Sequence, residues 1–338
     1  KLVGGGLVQG SLVLLAGEPG IGKSTFILQL INSLETATRP GAGAVPTATA
    51  PTEGSSDQTV METLRRNSSE KLETIYLAGE ESPEQIKSRL DRLNLKTNIK
   101  LLRQPTLEQA IVAIEQTKPS LVVVDSIQTL CSSQIDSPSG SVTQVRACAG
   151  QLLEVCKKLN ILCVLIGQVT KDGTIAGPKT LEHLVDTVIY LEGDNVHDYR
   201  ILRLTKNRFG PSDDIVVMNM TPTGLQIVEN PSLLFLGNEL KPGSEGSVIT
   251  PVIDGSKTFL IEIQALVTPT TFGYPQRRSS GFDNNRLQLL LAVLTKRGRL
   301  NQLNSHDVHI NVIGGYKIDE PAADLAVCLA VASSLLNK

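Results

Sequence analysis

Eight residues near the start of the chain have the types and spacing of a phosphate-binding loop. The fixed positions follow the pattern G-x-x-x-x-G-K-[ST], between an apolar strand and an amphipathic helix. In such a loop the glycines let backbone N–H groups turn towards the phosphates, the lysine reaches the β- and γ-phosphates, and the hydroxyl is a Mg²⁺ ligand. A chance glycine-rich turn is the alternative. The residues predicted to bind ATP are Gly17, Glu18, Pro19, Gly20, Ile21, Gly22, Lys23, Ser24 and Thr25.

A second candidate ligand of the metal ends an apolar run at residues 121–125. The run is L-V-V-V-D, and in folds with this loop such an aspartate helps to hold Mg²⁺ beside the phosphates. We therefore predict that Ser24 and Asp125 bind the metal. The alternative is an aspartate that caps a helix or lies in a loop.

Hydrolysis also needs a group that orients the attacking water and accepts its proton. The apolar run at 74–78 leads into Gly79, Glu80 and Glu81, at the carboxyl end of a predicted strand, where ligand sites form in α/β sheets. Glu80 or Glu81 is the candidate base, and the spacing does not choose between them. A solvated turn with two acids is the alternative.

The elements that must position these residues alternate between strands and helices. Capping boxes begin at Ser82 and Thr106, the first with a proline at the first helical position. Continuous apolar strands that alternate with helices are typical of a parallel sheet covered on both faces. The predicted strands are 11–16, 74–78, 121–124, 161–167, 187–192, 200–205, 215–220 and 225–228, and the predicted helices include 24–34, 106–117 and 142–158.

The pattern divides the chain into an α/β core at residues 1–229, a linker at 230–245 and a smaller α+β domain at 246–338. Within the core, residues 35–71 are rich in Ala, Thr, Pro, Gly and Ser, and they have no apolar period. Such a segment cannot bury enough surface to offset the entropy of ordering it, so we expect a disordered insertion. In the second domain the dipeptide Asp254-Gly255 predicts a hairpin.

Composition excludes several classes of protein. Aromatic residues make up 3% of the chain and Trp is absent, which argues against an aromatic platform for single strands. The net charge is −2, so any contact with nucleic acid must use a local basic patch. None of the five cysteines forms a C-x-x-C pair, so we expect a reducing compartment, no disulfide framework and no zinc in this chain. No run reaches transmembrane length and no signal peptide is evident, so we expect no membrane association.

Five further stretches resemble signatures of the RadA/Sms family of recombination ATPases, and the resemblance covers nearly the whole chain in the right order. The most distinctive is K-N-R-F-G, formed by Lys206, Asn207, Arg208, Phe209 and Gly210. The others are L-V-G-G-G-L-V-Q-G-S at 2–11, Y-L-A-G-E-E-S at 76–82, G-Q-V-T-K at 167–171 with I-A-G-P at 175–178, and L-E-H at 181–183.

The resemblance implies a RecA-like P-loop core followed by a domain similar to the proteolytic domain of Lon, assembled as a hexameric ring. It implies ATP-driven branch migration, with single-stranded or branched DNA and a RecA-type recombinase as partners. Glu80 aligns with the catalytic glutamate, and Lys206 and Arg208 would reach the γ-phosphate of a neighbouring subunit. An ordinary basic turn is the alternative for the last two. The family implies a bacterial cytoplasmic protein, or an organelle nucleoid in a eukaryote.

By the same resemblance, DNA would contact two loops, at about 128–146 and 170–179. The candidates are Arg146, Lys171 and Lys179, since flexible loops with a few cations suit contact with phosphates in any sequence. For each of these residues a solvated surface charge is the alternative.

The chain departs from the family pattern at three places. It begins almost at its first motif, without the usual four-cysteine zinc module, and we expect a fragment. The position of the proteolytic serine falls near Ala322, and the chain ends before a partner lysine, so we expect no peptidase activity but a scaffold for oligomerisation and DNA. Cations on its basic side would be Arg277, Arg278, Lys296, Arg297 and Arg299. An ATP-dependent protease and a RecA-superfamily signalling kinase without DNA dependence are the alternative functions.

Overall fold

The computed structural model describes residues 7–37, 72–169, 178–193, 198–237, 244–271 and 273–338. The chain divides into two compact units, Lys1–Ile227 and Val228–Lys338. In the part of the chain that the structure describes, no helix has both the length and the apolar character needed to cross a membrane.

The first unit is built around one large sheet. Its described strands are β1 (Leu12–Gly17), β2 (Thr74–Ala78), β3 (Ile99–Arg103), β4 (Leu121–Asp125), β5 (Leu162–Gln168), β6 (Thr187–Glu192), β7 (Tyr199–Asn207), β8 (Ile215–Thr221) and β9 (Gly224–Ile227). They stand in the order β3-β2-β4-β5-β1-β6-β7-β8-β9. Pairing is parallel from β3 to β6 and antiparallel from β6 to β9. The predicted α/β core with a parallel sheet is confirmed.

Helices cover both faces of this sheet, as the sequence predicts. The described helices are α1 (Lys23–Ala37), α2 (Pro83–Arg92), α3 (Leu107–Thr117) and α4 (Val142–Leu159). Successive side chains of a strand point to opposite faces, so Leu12 and Leu14 enter the core that holds α3 and α4. Val13 and Leu15 enter the other core, with residues of α1. Burial of β1 on both faces explains its continuous apolar sequence.

Two of the helices begin at the predicted capping boxes. The Ser82 hydroxyl accepts a hydrogen bond from the backbone N–H of Gln85, whose side chain accepts one from Ser82 N–H. Thr106 and Gln109 make the same reciprocal pair at the start of α3. Each box satisfies N–H groups that have no partner within the helix.

Helix α1 is longer than the sequence indicates, because it continues to Ala37. Residues 35–37 therefore belong to the helix and not to the expected insertion. Glu35 is buried, and its carboxylate accepts a hydrogen bond of 3.1 Å from Asn98 N–H. The rest of the expected insertion, 38–71, lies outside the described residues.

The second unit is α+β. Its described strands are β10 (Ser247–Asp254), β11 (Lys257–Pro269), β12 (Arg277–Ser280) and β13 (His306–Val312), in the order β10-β11-β13-β12, and its α-helices are α5 (Asn284–Lys296) and α6 (Asp324–Leu336). The predicted hairpin joins β10 to β11. Because Asp254 pairs with Lys257, its two-residue loop is Gly255-Ser256, one residue later than the predicted dipeptide.

Part of the segment expected to be a linker, 230–245, packs into the second unit. Phe235 is fully buried, with its ring centroid 6.0 Å from that of Phe259 and 5.2 Å from that of Tyr316. Its carbonyl accepts a hydrogen bond of 2.9 Å from Glu262 N–H. An aromatic side chain buries a large apolar surface. Through Phe235, the described residues 230–237 are therefore part of the packed second unit.

Candidate nucleotide site

The phosphate-binding loop joins β1 to α1, where the sequence places it. Gly20 and Gly22 have φ angles of 77° and 114°, in the left-handed region that residues with a side chain rarely adopt. These conformations allow successive backbone N–H groups to face one concave surface, which suits a phosphate group. The amino terminus of α1 adds its partial positive charge.

Lys23 is held inside this loop by the backbone. Its ammonium group donates hydrogen bonds of 2.8 Å to the carbonyls of Gly17 and Glu18, and the residue is 7% exposed. Burial lowers the pKa of Lys23, whereas the charges of Asp125, Glu80 and Glu18 act in the opposite direction. The cation therefore lies close to the two acids that the sequence singles out.

Asp125 ends β4 and receives a hydrogen bond from a buried tyrosine. Tyr76 is 1% exposed, and its hydroxyl donates to Asp125 Oδ2 at 2.5 Å. Burial raises the pKa of Tyr76, and the neighbouring charge of Asp125 raises it further, so the phenol stays protonated and keeps donating. The peptide bond between Asp125 and Ser126 is cis.

Glu80 lies where three strands end. Its Oε1 atom accepts hydrogen bonds of 2.7 Å from the Ser126 hydroxyl, just after β4, and from the Gln168 amide, at the end of β5. Gly79, just after β2, donates its N–H to the carbonyl of Asp125 at 2.7 Å. These contacts fix the carboxylate beside the phosphate-binding loop.

Glu81 has a different environment. Both of its oxygens pair with the guanidinium of Arg89 on α2, at 2.5 and 2.6 Å. Because the guanidinium occupies both oxygens of Glu81, this carboxylate is poorly placed to orient an attacking water. The geometry therefore favours Glu80 over Glu81, a choice that spacing alone left open.

Four residues of the site were missed in the sequence. Gln168 and Ser126 stand at or just after the carboxyl ends of strands, where the position itself could have indicated them. Tyr76 begins the stretch 76–82, but it lies within an apolar strand, and nothing in the sequence assigned a role to its hydroxyl. Arg200, on β7, is buried, and its Nε donates to the carbonyl of Ile21 in the phosphate-binding loop at 3.3 Å. It is far from the loop in sequence, so only the fold reveals this contact.

Lys206 and Arg208 lie at the opposite end of the sheet from the loop of their own chain. Lys206 pairs with Val188 of β6, which pairs with Leu14 of β1. Arg208 is bonded to Asp186, which is bonded to Leu12 at the start of β1, whereas Gly17 ends β1. The six residues of β1 advance about 16 Å, at about 3.3 Å per residue. The structure thus brings the loop, Asp125 and Glu80 together but not the two cations.

The cations of the K-N-R-F-G motif are held by residues 182–186. Lys206 donates to the carbonyls of Glu182 and Val185, at 2.5 and 2.8 Å. Burial lowers its pKa, and the nearby charge of Arg208 acts in the same direction. Next to this pair the ring of Phe209 is 48% exposed.

The two DNA-binding candidates that the structure describes are neighbours. Arg146 lies on α4, and its Nε donates to the carbonyl of Thr180 at 3.5 Å. Lys179 lies in the short helix Pro178–Thr180 and is exposed. Lys171 is outside the described residues.

The first of the two loops expected to contact DNA is shorter than the sequence indicates. Helix α4 begins at Val142, so only residues up to 141 form a loop. The buried side-chain amide of Gln144 donates to the carbonyls of Ser132, Ile135 and Ser137. These bonds connect the serine-rich loop to the first turn of α4, and the flexibility expected of this loop stays a prediction.

The second unit carries the remaining candidates. Ala322, at the position of the expected nucleophile, lies in the short helix Pro321–Ala323 before α6 and is exposed. Arg277 and Arg278 begin β12. Lys296 ends α5, and the exposed Arg297 and Arg299 follow. In the described ranges, no group of three or more His, Cys, Asp or Glu side chains is placed to hold a metal ion.

Comparison with known proteins identifies related families. Residues 1–232 match the family model described as "ATPase: KaiC". The protein named "DNA repair protein RadA" from Bacillus subtilis (strain 168) is 44% identical over 335 residues, which cover 99% of this chain and 66% of the relative. The protein of the same name from Aquifex aeolicus is 42% identical over 337 residues, covering 99% and 68%. The chain spans about two thirds of the length of these relatives.

Proposed function

Since the chain belongs to the RadA family of DNA repair proteins, with an ATPase core of the KaiC type, we propose that it is a DNA-dependent ATPase. Its role is in homologous recombination and repair, by ATP-driven branch migration or translocation on DNA. One observation carries the proposal: Glu80 and Asp125, from the ends of two neighbouring strands, lie close enough to Lys23 for their charges to oppose the lowering of its pKa by burial. A phosphate-binding cation, a metal-binding acid and a proton acceptor therefore share one site.

ATP is the substrate, and the residues present fit its phosphates and a Mg²⁺ ion. Lys23 exchanges its contacts with backbone carbonyls for contacts with the β- and γ-phosphates. Ser24 and Asp125 supply the hydroxyl and carboxylate oxygens that Mg²⁺ prefers, and Tyr76 orients the carboxylate. When bound, the ion neutralises charge on the phosphate oxygens.

Glu80 performs the proton transfer in this proposal. Its carboxylate accepts a proton from the water that attacks the γ-phosphate. The hydrogen bonds from Ser126 and Gln168 orient it for this task. Because Gln168 ends β5 immediately before the segment 170–179, a DNA contact in that segment can act on the base through one side chain.

The catalytic cations come from another copy of the chain in this proposal. Along the strand direction Lys206 is level with Leu14 and Arg208 with Leu12, about 10 Å and about 16 Å before the end of β1 at the loop, at about 3.3 Å per residue. Their motif also carries a half-exposed Phe209. In a homo-oligomer, for which we propose a hexameric ring, the motif of one subunit completes the site of the next, as an arginine finger does. Phosphates of DNA are bound by Arg146, Lys179 and Lys171.

ATP hydrolysis measured with and without single-stranded DNA tests the proposed function. We expect turnover to rise with DNA and the rise to weaken with salt, because phosphate contacts release counterions. Equal turnover at every DNA concentration would instead favour a signalling ATPase of the same superfamily. Casein degradation tests the protease alternative, and we expect none because Ala322 has no nucleophile.

Mixing two inactive variants tests whether the site is shared between subunits. Arg208→Ala lacks the cation and Lys23→Ala lacks the loop lysine. In a mixed ring some interfaces pair an intact loop with an intact Arg208, so part of the activity returns. A trans finger contributes about 10³-fold or more, so even partial recovery is measurable. Confirmed mixed oligomers without recovery would refute the trans assignment and leave the loop assignment intact.

A further inference from the structure

One buried acid joins Arg208 to the strand that leads to the phosphate-binding loop. Asp186 is 3% exposed. Its Oδ1 atom accepts a hydrogen bond of 3.1 Å from the Arg208 guanidinium, and its carbonyl accepts one of 3.1 Å from Arg208 N–H. Its Oδ2 atom accepts a hydrogen bond of 3.0 Å from Leu12 N–H, and its own N–H donates to the Leu12 carbonyl at 2.9 Å. Leu12 is the first residue of β1.

This arrangement satisfies the acid on both sides. A buried carboxylate is unfavourable unless it is paired and hydrogen-bonded, and here a guanidinium and a backbone N–H compensate it. The side chain of Arg208 is 49% exposed, whereas that of Asp186 is 5% exposed. One side of the guanidinium therefore contacts a buried, fixed acid, and the other side faces solvent. The contact with Asp186 restricts a long side chain that would otherwise sample many rotamers.

We propose that Asp186 is a positioning residue that presents Arg208 to the nucleotide of the neighbouring subunit. The inference rests on the proposed function, since it needs Arg208 to act on another subunit's site. Because Asp186 also holds Leu12, and β1 ends at Gly17, it links that contact to the loop of its own subunit. If ATP binding in the neighbouring subunit changes the Asp186–Arg208 pair, that change acts on the phosphate-binding loop of this subunit. By linkage, ATP binding at this loop then acts on Arg208 in the neighbour's site.

Asp186→Asn is the variant that tests this role, because asparagine keeps the size of the side chain but loses the charge. If the hydrogen bond between Asp186 and Arg208 is needed to hold the cation in the transition state, its loss lowers kcat by about 10- to 100-fold. We expect that loss, ATP affinity close to that of the unaltered protein, and a lower Hill coefficient for ATP. The matched control is Glu73→Gln, which removes the acid of an exposed ion pair with Lys100 and should leave kcat unchanged.

Two measurements separate positioning from a merely structural effect. In the Arg208→Ala background, Asp186→Asn should cause no further loss of kcat, since both changes remove the same contact. Mixed with Lys23→Ala, the Asp186→Asn chain should regain activity, because its own loop is intact and the neighbour supplies an ordered Arg208. A further loss in the double variant, or no recovery in mixed oligomers, would overturn the inference.

Folding is checked by thermal melting and by the size of the oligomer. If the asparagine variant does not assemble, Asp186→Glu keeps the charge pair and should turn over faster than Arg208→Ala. Failure of both variants to assemble assigns Asp186 a structural role and overturns the proposal. If Arg208→Ala turns over normally, the trans assignment itself fails. If Arg208→Ala is slow and Asp186→Asn is not, only the present inference fails.

Discussion

Replacing Glu80 by glutamine isolates the proton transfer that we assign to this residue. Glutamine has nearly the same shape, and its amide oxygen can still accept the hydrogen bonds from Ser126 and Gln168, but it cannot take a proton at neutral pH. A positioned general base contributes about 10²- to 10⁴-fold. We expect kcat to fall by that factor while ATP affinity stays close to its original value, because Lys23 and the loop are unchanged.

Glu81→Gln is the matched control for this change. It breaks the ion pair with Arg89. The side chain of Glu81 is 28% exposed and that of Arg89 is 24% exposed. A hydrogen bond between charged, partly buried groups contributes about 1.5–3 kcal/mol, so we expect a decrease of that order in the free energy of unfolding and little change in kcat. The assay is steady-state ATP hydrolysis at saturating DNA, with affinity measured by a fluorescent ATP analogue. A larger kinetic loss in Glu81→Gln than in Glu80→Gln would show that we assigned the base to the wrong residue.

Three further changes test other parts of the molecule. Lys23→Ala should abolish nucleotide binding in calorimetry, and unchanged affinity would contradict the site. Gly79→Ala places a Cβ atom 1.7 Å from Thr129 Oγ1, so we expect a loss of about 1–3 kcal/mol in urea unfolding; wild-type stability would mean that the turn can move. Phe235→Ala empties a buried aromatic position and should cost the second unit about 3–5 kcal/mol. Leu233→Ala, at a side chain 70% exposed, should change stability by less than about 0.5 kcal/mol, and equal effects would place 230–237 outside the domain.

The core was predictable because its signals are local. The loop motif, the capping boxes and the buried strands each depend on neighbouring residues, and the structure has them where the sequence indicates. Two strands escaped notice for a common reason. Ile99–Arg103 and Arg277–Ser280 lie at sheet edges, and each consists of partly buried and exposed residues. An edge strand needs no continuous apolar run, so periodicity did not reveal them.

The details of the site depend on contacts between distant residues, which no local pattern contains. Glu80 and Glu81 are adjacent, yet one accepts bonds from the ends of β4 and β5 and the other pairs with α2. The direction of the backbone after β2 makes that difference. In the same way, the sequence indicates that Gln144 is a polar residue on a helix surface. In the structure Gln144 is buried, and its amide donates a hydrogen bond to a carbonyl of the preceding loop. Polar residues with several backbone partners become visible only when the fold is known.

The direction of one strand explains why the two halves of the proposed catalytic site are separated. β6 runs parallel to β1, so it ends beside the phosphate-binding loop. β7 then returns antiparallel and pairs with β6 from Ile201 to Asn207, a distance of about 20 Å at about 3.4 Å per residue. Lys206 and Arg208 therefore lie towards the end of the sheet where β1 begins, and Arg208 donates a hydrogen bond to Asp186 there. If β7 were shorter, the two cations would lie beside the phosphate-binding loop of their own chain. Because they do not, we assign them to the site of a neighbouring copy.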